Sequence, residues 1–253
     1  MIDRILALTL ITFRESVRSK LLYTCLAFLL AIVLVSTPYA RVTIGDPAKV
    51  VKDFGLAGIA IGSVLFVVIS GGTMLQKELA RKTIFVVLSR PVRRWEFLLG
   101  KFFGLTITTV CLISLMEVTF LGYLWLCFGE FDWRLLVHLP YASLEATIVA
   151  AAVILFSTLV VTPILNGLFA FGFYIAGRSV ESVQVYASTY DSALARAAVA
   201  ILPRLDYLSV AEGLAYHEVP SLNHLAWAVL YTVLYSSFLL LSAAVIFETR
   251  DIS

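Results

Sequence analysis

The sequence predicts an all-α membrane protein. It has six transmembrane helices, an N-terminal amphipathic interfacial helix, a cytoplasmic coupling helix, and amphipathic outer helices before the last span. Three observations carry this. Hydrophobic residues make up 60% of the 253 residues and charged ones only 14%, against roughly 25% charged in a soluble domain. Mean hydropathy is +0.95, and the apolar residues come in runs of about 20, enough to cross a hydrocarbon core. The positive charge gathers in one internal stretch, 75–101, where seven Lys and Arg stand against Glu78 and Glu96.

Composition also excludes classes. The basic residues lie beside membrane spans rather than on one wide face, so nucleic acid is not a partner. Cys25, Cys111 and Cys127 all fall in apolar runs, an odd count that argues against a disulfide framework or a metal site. The opening residues have acidic positions near both ends and no small-residue cleavage site, unlike a cleaved signal peptide.

Residues 1–20 read as an interfacial helix: Ile2, Ile5, Leu6, Thr9 and Phe13 share a face, with Arg4, Glu15, Arg18 and Lys20 left wet. The first span is 21–40. The polar link RVTIGDPAKVVKD leads to the second, 54–75, in which Gly58 and Gly62 are four apart and allow close helix packing. The third, 102–128, is long enough to tilt. A link with interfacial Trp133 and His138 follows. Residues 146–176 are then apolar for longer than one crossing needs. Pro163, followed by Asn166 and Gly167, breaks this run, because proline removes a backbone donor and clashes with the preceding turn. The spans are therefore 144–161 and a short 164–177, joined by a tight turn in which Asn166 is a cap or turn residue. Segment 178–223 is too polar to span. Val183, Tyr186, Tyr190, Leu194 and Ala197 at helical spacing predict helices at the outer interface, broken at Pro203. The last span is 224–247.

With the N-terminus inside, six spans put both termini in the cytoplasm. The inner segments then hold 12 of the 19 Lys and Arg, as the positive-inside rule requires. The location expected is the inner (plasma) membrane, multi-pass. No phosphate-binding loop occurs, and His138, His217 and His224 are scattered, without ligand spacing. Nothing supports an enzyme. Two carboxylates fall within spans: Glu117 and Glu145. A buried charge in hydrocarbon costs about 3 kcal/mol or more, so each is a candidate pathway residue or a structural hydrogen-bonding group. Both readings stand for Glu117. Glu145 fits the structural reading better, since it can reach the outer headgroups.

The stretch 76–101 has its own pattern. Leu79, Ile84 and Val87 fall at helical spacing, Pro91 ends the helix after Arg90, and a second helix runs through RRWEFLLGKFFG into the third span. A loop that only holds anionic lipid needs neither a ridge nor a corner.

KELARKTIFVVLSRPVRRWEFLLGK resembles the loop between spans two and three in permease subunits of the type-two ABC transporter family. Glu78, Arg81, Lys82, Thr83, Val86, Val87, Leu88, Ser89, Pro91, Arg93, Leu99, Gly100 and Lys101 carry the resemblance. ILPRLDYLSV is similar to a segment before the last span in the branch that includes the nitrous-oxide reductase maturation permease and gliding-motility permeases. It departs from that branch at Arg204, where asparagine is common there.

The resemblance implies a dimer of permease subunits, homo or hetero, bound to two cytoplasmic ATPase subunits that carry the ATP and magnesium. This chain binds no cofactor itself. Glu78, Arg81, Lys82, Thr83, Ile84, Val87, Leu88, Ser89, Arg90 and Pro91 would form the coupling contact. Arg81, Lys82 and Arg90 would be its charged members, with Ile84, Val87 and Leu88 its apolar anchor. Span 21–40 and the outer segment would form the dimer interface. Membrane lipid and an extracytoplasmic accessory protein complete the expected partners. The function implied is an ATP-driven exporter's permease subunit; the alternative is a non-transporting scaffold or assembly factor that recruits a cytoplasmic protein.

Overall fold

In hydrocarbon every backbone N–H and C=O must be bonded internally, which leaves the apolar runs of this chain no choice but helix. The computed structural model describes residues 2–42, 47–80, 94–129, 131–160, 162–190, 199, 202–215 and 219–249. Among them there are helices and no strands. The helices are α1 (Ile2–Val17), α2 (Lys20–Val42), α3 (Pro47–Ala80), α4 (Arg94–Phe128), α5 (His138–Leu159), α6 (Pro163–Arg178), α7 (Val180–Tyr190), α8 (Ala211–Ala215) and α9 (Leu222–Thr249), with 3-10 turns at Trp133–Val137 and Asp206–Leu208.

Among the described residues five stretches are long and apolar enough to cross a membrane: Lys20–Ala40, Ala48–Met74, Arg94–Phe128, Trp133–Leu159 and Leu222–Thr249. The sixth expected span, 164–177, does form a helix. At 16 residues α6 is about 24 Å long, short of a core of about 30 Å. The expected break holds physically. Val160 and Thr162 are extended, and Pro163 opens α6 in its first turn, where a missing N–H costs nothing. Asn166 is neither cap nor turn residue. It is fully buried and faces Gly72 of α3, where a Cβ would stand 3.6 Å from its Nδ2.

Two helices form the centre. Most residues of the α3 and α5 spans are buried, whereas most of α2 and α9 are not, so the latter two present their apolar sides outward. The run Ala146–Val153 of α5 is almost wholly buried apart from Thr147, because alanine lets α3, α4, α6 and α9 all approach it. The glycines of α3 serve the packing expected of them: Gly58 meets Leu29 and Ile32 of α2, and Gly62 meets Met116 of α4.

Helix α1 lies along α4. A Cβ at Gly100 would stand 2.5 Å from Leu8 Cβ, and one at Gly104 would overlap Thr12. The Thr9 hydroxyl donates to the Gly100 carbonyl at 3.4 Å. The expected membrane face of α1 is therefore divided: Thr9 turns into the protein, while Leu6 is 53% exposed. At the same end Arg94 Nη1 donates to the Phe247 carbonyl at 2.8 Å, tying the start of α4 to the last turn of α9, where carbonyls lack helical partners.

Candidate functional site

The two ends of the bundle differ in chemistry. The end where α2, α4 and α6 finish and α3, α5 and α9 begin is the predicted outer end, and it holds a buried cluster of charged side chains. Helix α4 builds it by overshooting. It continues for eleven residues past Glu117 to Phe128, about 16 Å, so Glu117 lies level with the first residue of α5, His138. Glu117 is mid-span in the sequence and near one end of the bundle in the fold.

Glu117 is fully buried and His138 is 4% exposed. His138 Nδ1 and Glu117 Oε1 are hydrogen-bonded at 2.5 Å. Glu117 Oε2 has no hydrogen-bond partner among the described residues. The expectation of an interfacial, isolated His138 is thus corrected. The turn Trp133–Val137 carries His138 inward. Asp132 caps that turn, accepting from the Arg134 N–H at 3.2 Å, and its other oxygen accepts from Lys52 Nζ of α3 at 3.2 Å. Lys52 is only 3% exposed.

Residues 138, 141 and 145 fall on one side of α5 at helical spacing. The Tyr141 hydroxyl bonds His224 Nδ1 of α9 at 3.0 Å, and the His224 ring lies against Tyr207, with centroids 4.2 Å apart. Glu145 is buried, and Arg178 from the last turn of α6 donates to its Oε1 at 3.3 Å. Glu145 thus bonds to another helix, the kind of contact that the structural reading gives it. The short length of α6 is what delivers Arg178 to that depth.

Between these groups lies a cavity of about 440 Å³. Asp53, Ala57 and Ala60 form its α3 wall, His138 and Glu145 its α5 wall, and Arg178 one corner; Leu208, Ser209 and Ala211 complete its lining. That last segment is anchored by Leu205 and Leu208, both buried. The Leu205 N–H donates to the Gly177 carbonyl at 3.2 Å. The arrangement can hold a small charged or polar group. Among the described residues no group of three His, Cys, Asp or Glu could hold a metal ion.

A second cavity, about 490 Å³, lies at the opposite end between α4 and α9. Trp95, Leu98, Leu240, Leu241 and Ala244 make it mostly apolar, suited to lipid contact rather than to chemistry.

Glu117 and Glu145 are thus brought into one cluster, each with a partner that the linear reading missed: His138 for one, Arg178 for the other. Lys52, Asp132 and His224 were missed as well. The signal available was a set of charged residues just inside the helix ends that face one another across the links. Of the expected coupling residues, Glu78 lies on the last turn of α3, with its side chain outside the described ones. Arg81, Lys82, Thr83, Ile84, Val87, Leu88, Ser89, Arg90 and Pro91 lie outside the described residues, as do Leu194, Ala197 and His217.

Residues 14–177 match a family described as ABC-2 family transporter protein. The match takes in α2 to α6, the basic stretch, and Glu117, His138 and Glu145. No curated protein matches the chain.

Proposed function

The chain belongs to the ABC-2 transporter family as a transmembrane permease subunit of an ABC transporter, and from that premise we propose that it is an exporter driven by two separate cytoplasmic ATPase subunits. It works beside a second permease subunit in the inner (plasma) membrane, with both termini cytoplasmic. ATP and magnesium bind in the partner. The coupling contact is the stretch from Glu78 to Pro91, with Arg81, Lys82 and Arg90 as its charges and Ile84, Val87 and Leu88 as its apolar anchor. Glu117 and Glu145 belong to the route or to its control.

The observation that carries the reading is the family match across 14–177, which includes this basic stretch. The length of α3 agrees with it. At 34 residues it is about 51 Å long, more than a core of about 30 Å needs, so its last turns can carry the stretch clear of the membrane.

The test is purification from the native membrane in detergent, with mass spectrometry and an ATPase assay. We expect an ATPase to co-purify and to be lost on Thr83→Ala with Leu88→Ala. Charge reversal, Arg81→Glu with Lys82→Glu, should uncouple hydrolysis from transport and leave the spans folded. Recovery of the chain with non-ATPase proteins alone would favour a scaffold that recruits a cytoplasmic protein.

A further inference from the structure

Glu117 poses a physical problem that its pairing solves in part. It has no exposure, one oxygen is held by His138, and the other has no partner among the described residues. With a neutral imidazole the pair carries one buried negative charge. One more proton makes the pair neutral. The neighbouring cations are engaged elsewhere. Lys52 is bonded to Asp132 and Arg178 to Glu145, and neither is bonded to Glu117. The way in for a proton is also visible. His138 lines the cavity and Glu117 does not; with Nδ1 bonded to Glu117, Nε2 is the ring nitrogen left to accept a proton.

We propose that Glu117 and His138 form a one-proton binding site, loaded from the cavity at the predicted outer end, and that the permease links this proton to its transport cycle. The step balances. A hydronium ion in the cavity gives its proton to Nε2 and leaves as water. The Nδ1 proton stays on the ring or passes to Glu117 Oε1, and the pair goes from one negative charge to none. The charged groups that share the cavity wall with His138 are Asp53 from α3, Glu145 from α5 and Arg178 from α6; Lys52 is paired with Asp132 of the capped turn, and His224 of α9 is bonded to Tyr141, three residues along α5 from His138. The bond to His138 joins α4 to α5, so the proton acts on the joint between those helices. Its use in transport rests on the permease reading; its binding does not.

The chain has three histidines, which makes the site readable by nuclear magnetic resonance. The full chain, labelled with ¹⁵N-histidine, would be placed in vesicles of one orientation. We expect a far-downfield Nδ1–H signal from His138 that responds to pH on the outer side only and is lost in Glu117→Gln. Ala57→Phe, which narrows the cavity from its α3 wall, should slow the response at least tenfold. A signal that ignores outer pH, follows inner pH, or persists unchanged in Glu117→Gln would overturn the site. If the signal behaves as expected but transport by the reconstituted complex ignores outer pH, the link to transport is overturned. Absence of any ATPase partner would overturn the permease reading and leave the proton result intact.

Discussion

Replacing His138 by Leu strips the one hydrogen bond from a carboxyl group that has no exposure. Glu117 Oε2 is already without a partner among the described residues, so in His138→Leu both oxygens are orphaned. Removing one member of a buried pair costs about 3–5 kcal/mol, most of it the penalty of the group left behind. The companion variant, Glu117→Met with His138→Leu, removes both polar groups at similar volume. Such replacements are neutral or stabilising by about 1–4 kcal/mol. Single and double variants should therefore differ by at least about 3 kcal/mol, a factor of more than about a hundred in the open population.

Cys25 offers the assay. It is buried at 8% exposure, while Cys111 and Cys127 are exposed and can be changed to Ala. Maleimide labelling of Cys25 then follows opening of the bundle, and where closing outpaces labelling its rate reports the open population. His138→Leu should label about a hundredfold faster than the parent, and the double variant no faster than the parent. A single variant within threefold of the parent, or a double variant as fast as the single, would refute the reasoning.

Three further outcomes are expected. Lys52→Met leaves Asp132 without its ammonium partner at low exposure, though the Arg134 N–H remains. A loss of about 2 kcal/mol should appear in the same labelling assay and be partly recovered by Asp132→Asn. Gly104→Val places a side chain where Thr12 sits, and overpacking of about 1–3 kcal/mol should loosen α1 from α4. Tryptic cleavage after the exposed Arg18, in the turn between α1 and α2, would then accelerate while Cys25 labelling barely changes. Asn166→Leu removes a buried amide whose nitrogen and oxygen both lack partners among the described residues. It should stabilise by about 1 kcal/mol, and a clear loss in thermal unfolding would show that the amide is satisfied in solution.

Much of the architecture was legible from the sequence, because hydrocarbon imposes helix on any apolar run of sufficient length. The runs located α2, α3, α4, α5 and α9, and Pro163 located the turn between α5 and α6, since a proline opens a helix but cannot lie inside one without cost. The glycines of α3 declared their packing role for the same local reason: a missing side chain lets a neighbour in. The basic stretch carried the family signal. What stayed hidden depends on how far one helix slides along another. Composition does not encode that α4 overshoots α5, yet the overshoot moves Glu117 from mid-span to one end of the bundle and onto His138. Nor does it encode that α6 stops at 16 residues and so brings Arg178 to Glu145. Periodicity assigned Thr9 to the membrane face of α1, but Gly100 and Gly104 of α4, ninety residues away, draw it inward. Residue type and local spacing determine which segments are helices and where they end, because those are backbone properties. Which charges meet is settled by the relative heights of packed helices, and only the tertiary structure holds that information.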